Sequence, residues 1–270
     1  MRDFSIPKYE EICSALVSRG YQSITLSDYF NLGGVDLTEK RVLLRHDVDR
    51  LASMSLTMAE IEAEFGLKAS YYFRIPHTYK SDIIKRIDAL GHEVGFHYEN
   101  LSKSRGNHNN AIKSFSQELD RFRKLVQVKT IAMHGSPASR FDNRDLWKSV
   151  KISDFGLLGD AHLDIDFEQV MYYSDTGRSW EEGKFNVRDK IPDGMSTINY
   201  IPQIKTSDDM IDLIGKENRN LYLVIHPERW STSIAGWVLS WIKDTALNWG
   251  KVVFTMIYKL KSWIKAINGR

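Results

Sequence analysis

The stretch Val42-Leu43-Leu44-Arg45-His46-Asp47-Val48-Asp49 is an apolar run that stops in a cluster of charged and imidazole side chains. The same event recurs along the chain. Ala69-Ser70-Tyr71-Tyr72-Phe73 ends at Arg74, Glu93-Val94-Gly95-Phe96 at His97, and Thr130-Ile131-Ala132-Met133 at His134. Val170-Met171-Tyr172-Tyr173 leads into Ser174-Asp175, and Leu221-Tyr222-Leu223-Val224-Ile225 ends at His226. Continuous apolar runs read as strands buried on both faces, as in a parallel sheet covered by helices. Polar groups at their carboxyl ends meet at one rim, where α/β barrels and open α/β sheets place their chemistry.

Between these runs the spacing turns helical. Helices are expected over Tyr9 to Arg19, Leu51 to Phe65, Lys80 to Leu90 and Asn110 to Val126, the first three closed by Gly20, Gly66 and Gly91. A shorter helix runs from Ser207 to Gly215, with Ser207 as its expected N-cap. The alternation spans about Arg41 to Trp230 and predicts βα repeats. Gly177, Gly183, Pro192 and Gly194 mark a long loop region over Asp175 to Tyr200.

With 270 residues, 42% hydrophobic and 27% charged, the chain has the composition of a globular protein with a substantial core. A net charge of +2 gives no reason to expect a nucleic-acid partner. Cys13 is the sole cysteine, which rules out an intrachain disulfide and suits a reducing compartment. The first residues lack a signal-peptide core, and no run is apolar enough to span a membrane, so a cytoplasmic location is expected.

The segment 231–270 departs from the rest. Six Lys or Arg face the single Asp244, a net +5, and four of the seven tryptophans (Trp237, Trp241, Trp249, Trp263) fall here. Lys and Trp together on an amphipathic helix suit an anionic membrane surface, and a helix packed across the barrel with its lysines in water accounts for the same pattern. The expected division is a barrel domain over 1–230 and a basic helical extension over 231–270.

Asp47 and Asp49 share one face of a strand, because side chains alternate with period two. One carboxylate of such a pair can ligate a divalent metal while the other acts as general base; the alternative is a strand-end turn whose Asp caps the next helix. His97 and His134 suit zinc as neutral imidazoles, and His226 is placed to deliver a proton. His92 reads as structural, and His77, His108 and His162 read as surface residues.

Taken in order, these motifs resemble those of the polysaccharide deacetylase superfamily, carbohydrate esterase family 4 and its relatives. Leu44-Arg45-His46-Asp47-Val48-Asp49 resembles the first motif, Gly91 to His97 the second, and Ile131 to Pro137 occupies the place of the third. Ser174 to Trp180 is similar to the fourth and Leu223-Val224-Ile225-His226 to the fifth. The resemblance implies a distorted (β/α) barrel of incomplete strand set that removes N-acetyl groups from an amino sugar. It implies Asp47 as base, His226 as acid, and Asp49 and His97 as ligands to a divalent metal, zinc being the expected ion. Where the family has a second metal-binding His, this chain has Leu101; His134 is then the favoured third ligand and Glu99 the next. Asp175, Arg178, Trp180, Arg229 and Trp230 are the expected substrate-binding residues, with an Arg229–Asp175 ion pair as the structural alternative. A glycan or lipid-linked saccharide is the expected substrate. The rival expectation is a barrel without catalysis that binds glycans or scaffolds envelope polysaccharide assembly, and a third is a metal-free hydrolase of another C–N bond.

Overall fold

The computed structural model describes residues 2–36, 38–136, 139–181, 191, 202–246 and 249. Its centre is an all-parallel sheet of eight strands: β1 (Gln22–Ile24), β2 (Arg41–Val48), β3 (Ser70–Phe73), β4 (Glu93–Tyr98), β5 (Thr130–Met133), β6 (Gly159–Asp160), β7 (Met171–Ser174) and β8 (Leu221–Ile225). The order is β6-β5-β4-β3-β2-β8-β7, with β1 added beside the start of β2. Among the described residues β6 and β7 do not pair, so the curled sheet stays open on that side. This is the expected distorted (β/α) barrel with an incomplete strand set.

Helices α1 (Ile6–Ser18), α2 (Leu26–Leu32), α3 (Ala52–Glu64), α4 (Ser81–Ala89), α5 (Asn100–Lys103), α6 (His108–Arg123) and α7 (Ser207–Lys216) connect and flank the strands. Those expected from spacing are present with ends shifted by at most three residues. The N-cap of α7 is Thr206 and not Ser207. Thr206 accepts from Asp209 N at 3.1 Å while Asp209 accepts from Thr206 N at 2.9 Å, a reciprocal capping box.

Alternation along each strand divides the apolar residues into two cores. Val42, Leu44 and Val48 of β2 face the helices, together with Ile12, Met58 and Phe115. Leu43, Tyr72, Ala132, Tyr222 and Val224 fill the inside of the curl, with Leu26 and Tyr29 of α2. Gly95 in β4 is required by this inner packing, since a Cβ there would lie 2.3 Å from the Tyr72 ring. Arg45 and Asp47 continue the inward series of β2, so the charged rim sits directly above an apolar floor.

The residues 234–246 form a helix. It is tied to the barrel by Trp237 Nε1, which donates to Asp3 O at 2.7 Å, and by Asp244, which receives Arg50 at 2.9 Å. Beyond residue 246 only Trp249 is described, so the rest of the expected Trp-rich extension lies outside the described residues, as do 182–190 and 192–201 of the long loop. No helix among the described residues is long and apolar enough to cross a membrane.

Candidate active site

Register brings the separate sequence clusters to one rim. His46 of β2 pairs with Ile225 of β8, so Asp47 and His226 follow side by side on adjacent strands. Asp47 pairs with Tyr72, Phe73 with Phe96, and His97 with Ala132, which carries the rim across β3 and β4 to β5 and His134.

Asp49, His97 and His134 converge. His97 Nε2 lies 3.4 Å and His134 Nε2 3.5 Å from Asp49 Oδ1. That oxygen is buried and has no hydrogen-bond partner. An orphaned buried carboxylate oxygen is costly, so its neighbours are informative. The other nitrogens of both rings are engaged: His97 Nδ1 lies 3.0 Å from Ala132 O, and His134 Nδ1 is 3.0 Å from Ser136 Oγ and 3.2 Å from Glu99 Oε2. A carbonyl partner fixes the His97 tautomer with its proton on Nδ1, which leaves the Nε2 lone pair aimed at Asp49. Among the described residues no three His, Cys, Asp or Glu side chains form a ready-made metal cage. The donor chemistry of Asp49, His97 and His134 nevertheless fits a divalent cation. Ligand atoms about 2.1 Å from a tetrahedral ion stand about 3.4 Å apart, the separation seen on both edges that meet at Asp49.

Glu99, the reserve ligand, does something else. Arg74 Nη2 grips it at 2.8 and 2.9 Å, and its Oε2 faces His134 Nδ1, so it orients that ring from behind. Burial opposes its negative charge, but His134 and Arg74 outweigh this and hold the Glu99 carboxyl well below the usual range. Burial likewise opposes charge on Asp49, yet His134, His97 and His226 bring its pKa well down. Leu101, in the family's second His position, is 2% exposed and belongs to the outer core. A third donor beside Asp49 and His97 would have to come from elsewhere, and His134, just beyond β5, is the side chain within reach.

Asp47 sits on Arg45, which donates from Nε and Nη2 at 2.8 Å to its two oxygens. Arg45 is fully buried, and its Nη1 also reaches Ala161 O at 3.3 Å. The fork fixes the carboxylate in one orientation and leaves its remaining lone pairs toward the rim.

His226 is held by Asp175, whose Oδ1 is 2.7 Å from His226 Nδ1. The same carboxylate receives Arg229 Nη1 at 2.7 Å, Trp230 Nε1 at 3.0 Å and His226 N. Burial would raise its pKa, but Arg229 and His226 bring it down to about 2. For His226, burial and Arg229 oppose the cation, while Asp175 and Asp47 favour it; the net shift is upward. Register sets Asp47 and His226 on adjacent strands, which brings the two halves of the rim next to each other.

Four expected substrate-binding residues serve the scaffold instead. Trp180 is 1% exposed, packs against Phe4 and Trp230, and donates to Ser207 Oγ at 3.1 Å; it has no face for a sugar. Arg178 is turned under the 234–246 helix, donating to Ser240 Oγ at 3.0 Å and lying 3.5 Å from Asp244. Arg229 and Trp230 are buried on Asp175, as the structural alternative required. Asp175 itself is fully buried, so it orients His226 rather than touching a ligand. His162, expected at the surface, is buried against Phe167 and Tyr172. His92 is structural as expected, its Nδ1 accepting from Ala69 N at 3.1 Å.

Sequence reasoning gave no role to Arg45 or Arg74. Arg45 carried a signal: a charge two residues before Asp47 in a buried run must share its face.

No protein-family model matches the chain, and no curated protein matches it. Among solved structures it is similar to a deacetylase from Streptococcus pyogenes in complex with acetate, at 14% identity over 57% of this chain and 78% of that one, TM-score 0.42. A carbohydrate esterase family 4 pseudoenzyme from Bacillus anthracis matches at 16% identity over 84% of this chain, TM-score 0.42; the match spans 63% of the pseudoenzyme, just under two thirds of its length. A family 4 carbohydrate esterase from Bacillus anthracis matches at 12% identity over 87% of this chain and 83% of that one, TM-score 0.39. The structural neighbours thus include family 4 carbohydrate esterases and pseudoenzymes.

Proposed function

We propose that the chain is a divergent deacetylase that hydrolyses the N-acetyl amide of an amino sugar. Asp49 Oδ1 carries the reading: a buried oxygen without a hydrogen bond, faced by two imidazole nitrogens. Asp49, His97 and His134 would hold a divalent cation, zinc being the ion their N and O donors suit best. Such an ion supplies Lewis acidity toward the acyl oxygen and the attacking water.

The chain's own residues do the rest. Asp47, aimed by Arg45, takes the proton of the water as it attacks the amide carbon. His226, whose protonated form Asp175 favours, gives a proton to the amine nitrogen as the C–N bond breaks. Glu99 and Arg74 keep the His134 ring in place throughout.

Acetate release from N-acetylated glucosamine oligomers, measured with and without chelator, tests this. Hydrolysis that falls on chelation and returns with zinc supports it. A protein that binds these glycans, keeps its fold and releases no acetate under any metal condition is instead the glycan-binding barrel.

For location we propose peripheral attachment to an anionic membrane surface. Support comes from the 234–246 helix, which exposes Ile234, Val238, Leu239, Trp241 and Ile242. Liposome sedimentation should fall when the chain is cut after Trp230, which removes this helix; equal sedimentation of both forms removes the idea.

A further inference from the structure

A cleft of about 580 Å³ opens beside the rim, with Glu99 and His134 on its inner wall. Lys103, Arg105 and Arg140 also line it, together with Ser102, Ser136, Ser139 and Phe141. The acids near it are already taken. Glu99 is gripped by Arg74 and lies 3.2 Å from Lys103 Nζ; Glu118 faces Lys103 at 3.7 Å and Asn100 Nδ2 at 2.8 Å; Asp142 is paired with Arg144 at 2.7 Å. Among the described ion pairs neither Arg105 nor Arg140 has a carboxylate partner, and both are exposed.

The local backbone fixes this lining. Arg105 has a φ of 50° and is followed by Gly106 at 82°, so the chain turns sharply at the end of α5. A Cβ on Gly106 would lie 2.3 Å from the Phe141 ring, which only glycine admits at this distance. Arg140 lies over the face of Phe141, 4.8 Å from its centroid, which holds the guanidinium stem at the cleft mouth. Two guanidinium groups without acids form a recognition surface for an oxyanion, beside a Lys103 that is already held by Glu99 and Ile75 O. A neutral glycan offers them hydroxyl acceptors but no opposite charge.

We propose that the acylated saccharide carries an anionic group, a phosphate or a carboxylate, that docks against Arg105 and Arg140 while the amide lies at Asp49 and His134. Which bond is cut rests on the deacetylase reading; the anion site does not.

The test is calorimetric titration of the full chain with N-acetylglucosamine 1-phosphate, with glucuronic acid and with neutral N-acetylglucosamine. At least one anionic sugar should bind tenfold or more tightly than the neutral one, and whichever leads identifies the anion. The double substitution R105Q/R140Q should abolish that preference, while R86Q, at an exposed pair with Glu60, should retain it. The preference should persist in D49N, which separates it from phosphate binding to a metal. Equal binding of all three sugars, or an undiminished preference in R105Q/R140Q, overturns the site. Acetate release is scored separately: hydrolysis without anion preference removes this proposal and spares the deacetylase, and anion preference without hydrolysis does the reverse.

Discussion

Two carboxylate–imidazole clusters lie on opposite faces of β2, one residue apart in sequence, and they are built for opposite ends. His46 points outward to Glu62 of α3, whose Oε1 lies 2.6 Å from its Nε2 and also accepts from Tyr9. Tyr71 donates to the other oxygen at 2.6 Å, and every one of these groups is buried. Asp47 and Asp49 point inward to the rim, where Asp49 Oδ1 accepts nothing. The outer carboxylate has both its oxygens hydrogen-bonded. The inner one, Asp49, is faced by two imidazole nitrogens and keeps a lone pair unused. Filled lone pairs make Glu62 a girder; the open one on Asp49, faced by two imidazoles, is the one the proposed cation would use.

Substitutions at the two clusters should therefore separate stability from activity. His226→Ala should lower turnover by about 10²–10⁴ while circular dichroism stays that of the folded chain. Glu62→Ala should do the opposite, costing about 3–5 kcal/mol of unfolding free energy in a denaturant titration, because it strands His46 and two tyrosines. Activity per folded molecule should survive. Asp47→Asn should show both effects, since it removes the proposed base and leaves Arg45 buried beside a neutral amide; a variant of unchanged stability would remove the structural part of that role.

Leu101→His sharpens the comparison further. Burying a Leu contributes about 1.5–3 kcal/mol, and an imidazole in its place is a polar group in an apolar core. The midpoint of unfolding should fall by that order with no gain in metal affinity, because position 101 faces the outer core rather than Asp49. The smallest effect concerns pH. The raised pKa of His226 keeps the acid form above the ordinary imidazole range, so its contribution to stability is complete below about 6.5 and is lost as pH rises through the folded value. Turnover should fall on the same alkaline side. Asp175→Asn should move that fall to lower pH, and an alkaline limb that stays in place would mean His226 is not the acid.

Most of the barrel was legible because strands of a two-face-buried sheet announce themselves as unbroken apolar runs. Period two then placed Asp47 and Asp49 on one face, and the strand ends placed His97, His134 and His226 on one rim. What was not legible is instructive. Trp180 and Arg178 lie in an irregular segment, where no periodicity says which way a side chain turns, and both turned inward. His134 ranked above Glu99 as a ligand on paper, but only the sheet's curvature decides which one faces Asp49. Arg45 was readable from its spacing, and its meaning lay in the bidentate grip that spacing cannot show.

The donors Asp49, His97 and His134 stand at the ends of β2, β4 and β5, three separate staves of the curl. An ion held there would rivet those staves across β3, far more widely than a clip closed within one turn. Thermal unfolding should then climb with zinc concentration by the logarithmic law for a ligand that binds only the native chain. The protein's rigidity and its chemistry would answer to the same atom.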